Sequence, residues 1–71
     1  MATRYNSAGT KLADINVTTT IRNRIDTAIG TIAAGRLNTW FYVPSVIIVG
    51  TTPANYYVKK EGGVYTEIRN T

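Results

Sequence analysis

The side chains able to do chemistry are few and widely spaced in this chain. It has no cysteine and no histidine, which excludes thiol nucleophiles, histidine-based triads and zinc sites of the Cys/His kind. A glycosidase-like pair needs two acids in one cleft, whereas the four carboxylates are spread over the predicted arm, helix and hairpin. They are Asp14, Asp26, Glu61 and Glu67. The glycines form neither a dinucleotide-binding motif nor a P-loop. The sequence therefore predicts a protein that is not an enzyme and that binds no cofactor and no metal.

Aromatic and basic side chains alternate near the C-terminus, and such a pattern can bind nucleic acid by stacking and charge. The formal net charge is +4, and no run of cations is longer than the pair Lys59-Lys60. This balance permits contact with nucleic acid but equally with an acidic protein surface. Nucleic-acid binding is therefore the alternative hypothesis. Its candidate contacts are Arg22, Arg24 and Arg36 around a predicted helix, and Tyr57, Lys59 and Tyr65 on a predicted hairpin.

Residues 18–35 are predicted to form a helix, because apolar residues recur along one stripe of a 3.6-residue period. The stripe consists of Ile21, Ile25, Ala28, Ile29 and Ile32. Thr18, Thr19 and Thr20 are candidate N-caps, and Gly35 is a natural end. The stripe also fits a coiled-coil seam, but over less than two heptads, so packing onto strands is favoured.

Residues 38–50 are predicted to form a strand that Pro44-Ser45 breaks or bends, which is typical of an edge strand. The segment Val46–Val49 is apolar on both faces, and a strand of this kind must be covered on both sides. One helix covers one side of a small sheet. The other side requires a partner subunit or, alternatively, the N-terminal segment folded back as a second layer.

Residues 56–69 are predicted to form a hairpin around Glu61-Gly62-Gly63, with two competing registers. A two-residue Gly62-Gly63 turn mixes polar and apolar side chains on both faces. A three-residue loop separates them better, because Tyr65 then joins Tyr57 and Lys59 on the outer face. The three-residue loop is therefore the prediction.

The fold predicted from these segments is α+β, with one helix followed by a small antiparallel sheet of three or four strands that ends in the hairpin. Residues 1–17 are predicted to form an extended N-terminal arm, and residues 18–71 a small domain. The arm carries only isolated apolar residues and cannot hold itself against conformational entropy. It is therefore frayed or laid against something.

A chain of 71 residues makes at most one domain with a marginal core. Without disulfides or a metal, additional stability has to come from partner contacts. The sequence predicts no signal peptide and no membrane contact, because its N-terminus is polar and its longest apolar stretch is too short to span a bilayer. The predicted protein interface consists of Leu12, Ile15, Val17, Trp40, Phe41, Val46, Ile47, Ile48 and Val49.

In overall character the chain resembles small accessory proteins of tailed-phage virions, of the decoration, cement or head-fibre type. The resemblance lies in the polar segment Thr3–Thr10, the single short helix and the strands rich in Thr, Tyr and Asn without Cys or His. It implies a structural protein that associates with copies of itself and with a larger capsid protein. It also implies a place in the virion after assembly in the host cytoplasm, whereas a non-viral protein of this kind is expected in the cytoplasm.

Overall fold

A computed structural model describes residues 1–29 and 39–71 of the chain. One helix and four strands follow one another in these residues. They are β1 (Thr3–Tyr5), α1 (Thr19–Ile29), β2 (Trp40–Val46), β3 (Ala54–Glu61) and β4 (Val64–Asn70). The predicted α+β class, with one helix and a small sheet that ends in a hairpin, is confirmed.

The four strands form one sheet in the order β1-β4-β3-β2. Strands β2, β3 and β4 are antiparallel neighbours, as predicted. Strand β1 instead pairs parallel with β4, so the sheet is mixed rather than wholly antiparallel. Parallel pairing requires a long connection, and the helix and two strands that separate β1 from β4 in sequence provide that length.

The N-terminal segment lies against the sheet of its own chain, which is one of the two outcomes predicted for it. Ala2 has no exposed surface and exchanges two backbone hydrogen bonds of 2.8 Å with Ile15. The Leu12 N–H donates to the Arg4 carbonyl at 2.7 Å. Residues 11–15 therefore run beside β1 and cover the sheet edge, where unpaired backbone groups would otherwise invite further strands.

The helix begins where the threonines predict a cap. The Thr18 hydroxyl accepts the N–H of Ile21 at 3.3 Å, and this bond satisfies one of the donors that a helix start leaves unpaired. Ile25 is fully buried, and Ile21 and Ile29 are partly buried against the same core. This apolar stripe holds α1 on one face of the sheet.

The C-terminal half of the predicted helix has a mixed outcome. Ala28, predicted in the apolar stripe, is exposed. Ile32 and the predicted helix end at Gly35 lie outside the described residues, as does the predicted start of the following strand at residue 38.

The hairpin between β3 and β4 turns through two residues, so the predicted three-residue loop is wrong. Glu61 pairs with Val64 across the turn, and Gly62 and Gly63 have φ angles of 59° and 77°. Positive φ at both central residues is the requirement of a type I′ turn, which glycine meets without steric cost. The local backbone preference of the two glycines therefore prevails over the better-segregated pattern.

A β-bulge in β4 restores the separation of apolar from polar side chains that the two-residue turn disturbs. Lys59 pairs with Glu67 whereas Lys60 pairs with Tyr65, so Thr66 is the extra residue on β4. As a consequence, Tyr65 and Ile68 point to the same face although they are three residues apart, and both are buried.

A second bulge bends β2 at Pro44-Ser45 without ending the strand. Val43 pairs with Tyr56 and Val46 with Ala54, so β2 again contains one residue more than its partner. Ser45 has a φ of 50°, and its N–H donates to Asn55 Oδ1 at 3.0 Å. Val43 and Val46 therefore both enter the core.

The core lies between α1 and one face of the sheet, so the described residues form two layers. It includes side chains from the N-terminal segment, the helix, three strands and the segment after β2. Its buried members are Ala2, Ile25, Val43, Val46, Ile48, Tyr56, Val58, Tyr65 and Ile68.

Candidate interaction surface

The outer face, meaning the face of the sheet turned away from α1, carries two rows of side chains that cross all four strands. Side chains alternate between the faces of a sheet, so these residues lie between those that point into the core. From β2 to β1, the first row is Trp40, Lys59, Glu67 and Thr3, and the second is Tyr42, Tyr57, Arg69 and Tyr5. None of the eight is buried.

Three aromatic rings give the outer face an apolar side along β2 and β3. Trp40, Tyr42 and Tyr57 are 39%, 51% and 37% exposed. The planes of the Tyr42 and Tyr57 rings are inclined by 60° to each other, and the ring centroids lie 5.5 Å apart. Aromatic pairs prefer a geometry of this kind. Grouped exposed aromatic residues indicate an interaction site more strongly than scattered ones do.

The charges of the first row are paired within the chain. Lys59 Nζ lies 3.2 Å from Glu67 Oε2 and 5.3 Å from the centroid of the Trp40 ring, within the range of a cation–π contact. Desolvation and a hydrogen bond to Glu67 raise the pKa of Tyr5 above its usual value. Glu67 is therefore the acidic centre of the outer face, with a cation on one side and a phenol on the other.

Arg69 is the second cation of the outer face. Its Nη2 donates to the Ser7 carbonyl at 2.8 Å, which ties the turn after β1 to the sheet. With Lys59 and Arg69 positive and Glu67 negative, the two rows carry a net charge of +1. The face is thus nearly neutral, in contrast to the basic character of the whole chain.

The structure separates the residues predicted to contact nucleic acid. Tyr57 and Lys59 lie on the outer face, whereas Tyr65, predicted beside them, is buried on the opposite face because of the two-residue turn and the β4 bulge. Arg22 and Arg24 belong to α1, across the core from the outer face. Arg36 lies outside the described residues.

The structure also divides the predicted protein interface. Val46 and Ile48 are buried in the chain's own core, so the expectation that they lack internal cover is wrong: the β2 bulge and the helix provide it. Ile15, Val17 and Phe41 pack partly buried against this core, and Leu12 and Ile47 are half-buried. Trp40 and Val49 remain exposed, and Trp40 alone of the predicted set lies in the two rows.

Asp26 joins the helix to the hairpin through a cluster of polar side chains. It accepts a hydrogen bond from the Tyr65 hydroxyl and lies 3.8 Å from Arg22 Nε and 3.9 Å from Lys60 Nζ. The Arg22–Asp26 contact is the helix pair expected from their i, i+4 spacing. Burial, together with the hydrogen bond to Asp26, raises the pKa of Tyr65. A phenol held protonated in this way acts as a structural donor rather than as a base.

A groove of about 570 Å³ lies between α1 and the end of β2. Among the described residues that line the groove, Arg24 is the one ionisable side chain, and its Nη1 donates to the Ile47 carbonyl at 3.2 Å. In residues 1–29 and 39–71, acidic side chains do not gather in a group able to hold a metal ion.

Comparison of the chain with protein-family models, with curated proteins and with solved structures finds no match. In the described part of the chain, no helix has the length and apolar character needed to cross a bilayer.

Most of the outer face was not predicted from the sequence. Trp40, Tyr57 and Lys59 were predicted contacts, whereas the other five residues of the two rows, which are Thr3, Tyr5, Tyr42, Glu67 and Arg69, were not. The available signal was alternation: Trp40 and Tyr42, like Tyr57 and Lys59, are two positions apart and so share a face within a strand. Cross-strand register was the missing information.

Proposed function

We propose that this protein is a non-enzymatic structural subunit that works by binding further copies of itself. The observation that carries the proposal is the open outer face, on which Trp40, Tyr42 and Tyr57 are exposed together in a fold whose helix covers only the opposite face. Burial of such rings is the main source of binding energy in protein interfaces, in which Trp, Tyr and Arg are enriched.

A second protein surface fits the outer face better than a polyanion does. Nucleic-acid sites derive most of their affinity from unneutralised Lys and Arg, whereas Lys59 is paired with Glu67 and Arg69 is bonded to a backbone carbonyl. A nearly neutral face with aromatic residues on one side has the composition of a protein interface.

A virion accessory protein is the kind of subunit we propose, on the strength of the resemblance in overall character described above. Such a protein repeats many times on one particle and contacts a larger structural protein, so even a weak contact between neighbouring copies acts at high effective concentration. A capsid protein is accordingly the proposed second partner, and the virion the proposed location.

Binding to single-stranded nucleic acid is the second candidate function. It is favoured by one observation, that exposed rings lie beside Lys59 and Arg69 on one face of the sheet, where bases can stack. Its proposed contacts are now Trp40, Tyr42, Tyr57, Lys59 and Arg69, since Tyr65 is buried.

The test is the mass of the purified chain in solution, measured by analytical ultracentrifugation across a concentration series at low and high salt. We expect concentration-dependent association that persists at high salt, because burial of apolar surface drives it. Tyr42→Ala should weaken association about tenfold, the effect of losing a ring worth about 1.4 kcal/mol.

The matched control is Val49→Ala, which trims an exposed apolar side chain outside the two rows and should leave association unchanged. A chain that stays monomeric at every concentration contradicts the proposal. If it instead binds a labelled oligonucleotide with an affinity that falls steeply as salt rises, nucleic-acid binding takes its place.

A further inference from the structure

The two rows of the outer face have an order that is complementary to itself. In the first row a cation on β3, Lys59, stands beside an anion on β4, Glu67. In the second row an aromatic ring on β3, Tyr57, stands beside a cation on β4, Arg69. Two copies related by a two-fold axis present the same surface to each other, so a stable contact requires that the surface match its own rotated image.

Two placements of the axis achieve this match. With the axis along the strands between β3 and β4, Lys59 of one copy lies opposite Glu67 of the other, and Tyr57 lies opposite Arg69. With the axis across the strands between the two rows, Glu67 lies opposite Arg69, Lys59 lies opposite Tyr57, and Trp40 lies opposite Tyr42. In both placements every charge meets an opposite charge or an aromatic face.

Neighbouring placements do not match all three charges. An axis along β3 places Lys59 opposite Lys59, and an axis along β4 places Glu67 opposite Glu67 and Arg69 opposite Arg69, and like charges that face each other across a desolvated interface oppose association. An axis between β2 and β3 leaves Glu67 and Arg69 with no residue of the two rows opposite them. The two central placements are therefore the ones in which every charge of the rows has a suitable partner.

We propose that two copies of this chain pack outer face to outer face about a two-fold axis, with Glu67 of each copy against a cation of the other. This inference rests on the proposed function and adds the surface, the symmetry and the central residue. The partner subunit that was predicted to cover Val46–Val49 then covers the outer face instead.

The size of the face sets the expected strength of the contact. Strands β2 and β4 have seven residues each, β3 has eight and β1 has three. With strands about 4.8 Å apart and roughly 3.3 Å per residue, the footprint is at most roughly 400 Å² per copy. Both copies together then bury at most roughly 800 Å², which is below the range of standard specific interfaces and corresponds to a weak contact. Measurements must therefore extend to high micromolar concentration.

The test uses charge reversal and mixing. Glu67→Lys alone should lose self-association, because its new cation meets a cation in either placement. Mixing it with Lys59→Glu should form a mixed dimer if the axis runs along the strands, and mixing it with Arg69→Glu should do so if the axis runs across them. Each partner variant that forms the mixed dimer should not associate with itself.

A mixed dimer with either partner, at an affinity within about threefold of the unaltered pair, supports the inference. Self-association of Glu67→Lys at wild-type strength overturns it and leaves the proposed function intact. Absence of mixed dimers in both mixtures also overturns it, provided that circular dichroism shows each variant folded.

A second measurement does not depend on the charged residues. With sheets packed roughly 10 Å apart, both axis placements put the two copies of residue 57 roughly 11–12 Å from each other. The chain has no cysteine of its own, so Tyr57→Cys should be cross-linked to itself by a bismaleimide of that reach. Thr27→Cys, on the exposed side of α1, is the control and should stay monomeric. Equal cross-linking of both variants overturns the inference.

Discussion

Tyr65 is the residue at which the sequence and the structure differ most in consequence. As a member of the outer face it would be a binding residue, but as a buried residue whose hydroxyl donates to Asp26 it ties the hairpin to the helix. The ring fills the core, and Lys60 Nζ lies 5.2 Å from its centroid. Its hydroxyl donates a hydrogen bond to the Asp26 carboxylate.

Tyr65→Phe should lower the free energy of unfolding by about 1–3 kcal/mol at neutral pH, the usual effect of removing a partly buried hydrogen bond to a charged group. Urea denaturation followed by circular dichroism measures this change. Tyr42→Phe, which alters an exposed tyrosine, is the control and should change stability by less than about 0.5 kcal/mol.

The same hydroxyl predicts a dependence of stability on alkaline pH. The pKa of Tyr65 in the folded chain is raised above its ordinary value of 10.0, so above that pH the unfolded chain loses this proton while the folded chain keeps it. The stabilisation is complete below pH 10 and is lost as pH rises through the folded pKa. Tyr65→Phe should therefore show a smaller fall in stability above pH 10 than the unaltered chain. Equal slopes would refute this link.

At the scale of elements, the two bulges have the same effect on packing. The bulge in β2 lies between Val43 and Val46, and the bulge in β4 lies between Tyr65 and Ile68. The two residues of each pair are three positions apart, yet both are buried in the same core. Regular strands would bring residues two apart to one face. Each bulge therefore keeps an apolar residue in the core that an unbroken strand would expose.

The turn of the hairpin offers a test of the observed register. A Cβ added to Gly62 meets nothing within 4 Å, so any cost of substitution comes from its φ of 59°. Gly62→Val should therefore lower stability by about 1–2 kcal/mol, whereas Gly62→Asn should cost much less, because asparagine tolerates this conformation. Thermal unfolding of both variants measures the difference. Two equally stable variants would favour the three-residue loop.

At the scale of the whole molecule, the N-terminal segment decides whether the core closes. Ala2 is fully buried in the same cluster as Ile25 and Ile68, although most of the chain separates it from Ile68 in sequence. The helix alone would leave this end of the core open. In residues 1–29 and 39–71, the N-terminal segment and the helix close the core on one face of the sheet, and the outer face remains exposed.

Ala2→Asp should therefore unfold the isolated chain or destabilise it by at least about 3 kcal/mol, since it buries a charge without a partner. Ala8→Asp is the matched control in the same segment, because Ala8 is exposed, and it should leave the unfolding midpoint nearly unchanged. Chemical denaturation followed by tryptophan fluorescence compares them. An Ala2→Asp protein as stable as its control would mean that the segment is a free arm.

The sequence by itself determined the types of element and several of their ends. The apolar period with Thr18 before it predicted α1, the aromatic run predicted β2, and the paired glycines predicted a hairpin. These features depend on backbone preferences and short-range spacing, which a sequence carries directly. The same reasoning named Trp40, Tyr57 and Lys59 as candidate contacts.

Only the tertiary structure decided the register of the strands, the parallel pairing of β1 with β4 and the face on which each side chain lies. One extra residue in a strand moves every later side chain to the opposite face, and whether a bulge forms depends on packing between residues distant in sequence. For this reason Tyr65 left the predicted surface, and only the cross-strand register placed Tyr42 and Arg69 beside Tyr57. The local pattern specifies which type of element a segment forms, whereas long-range packing specifies which face of that element is buried and which is exposed.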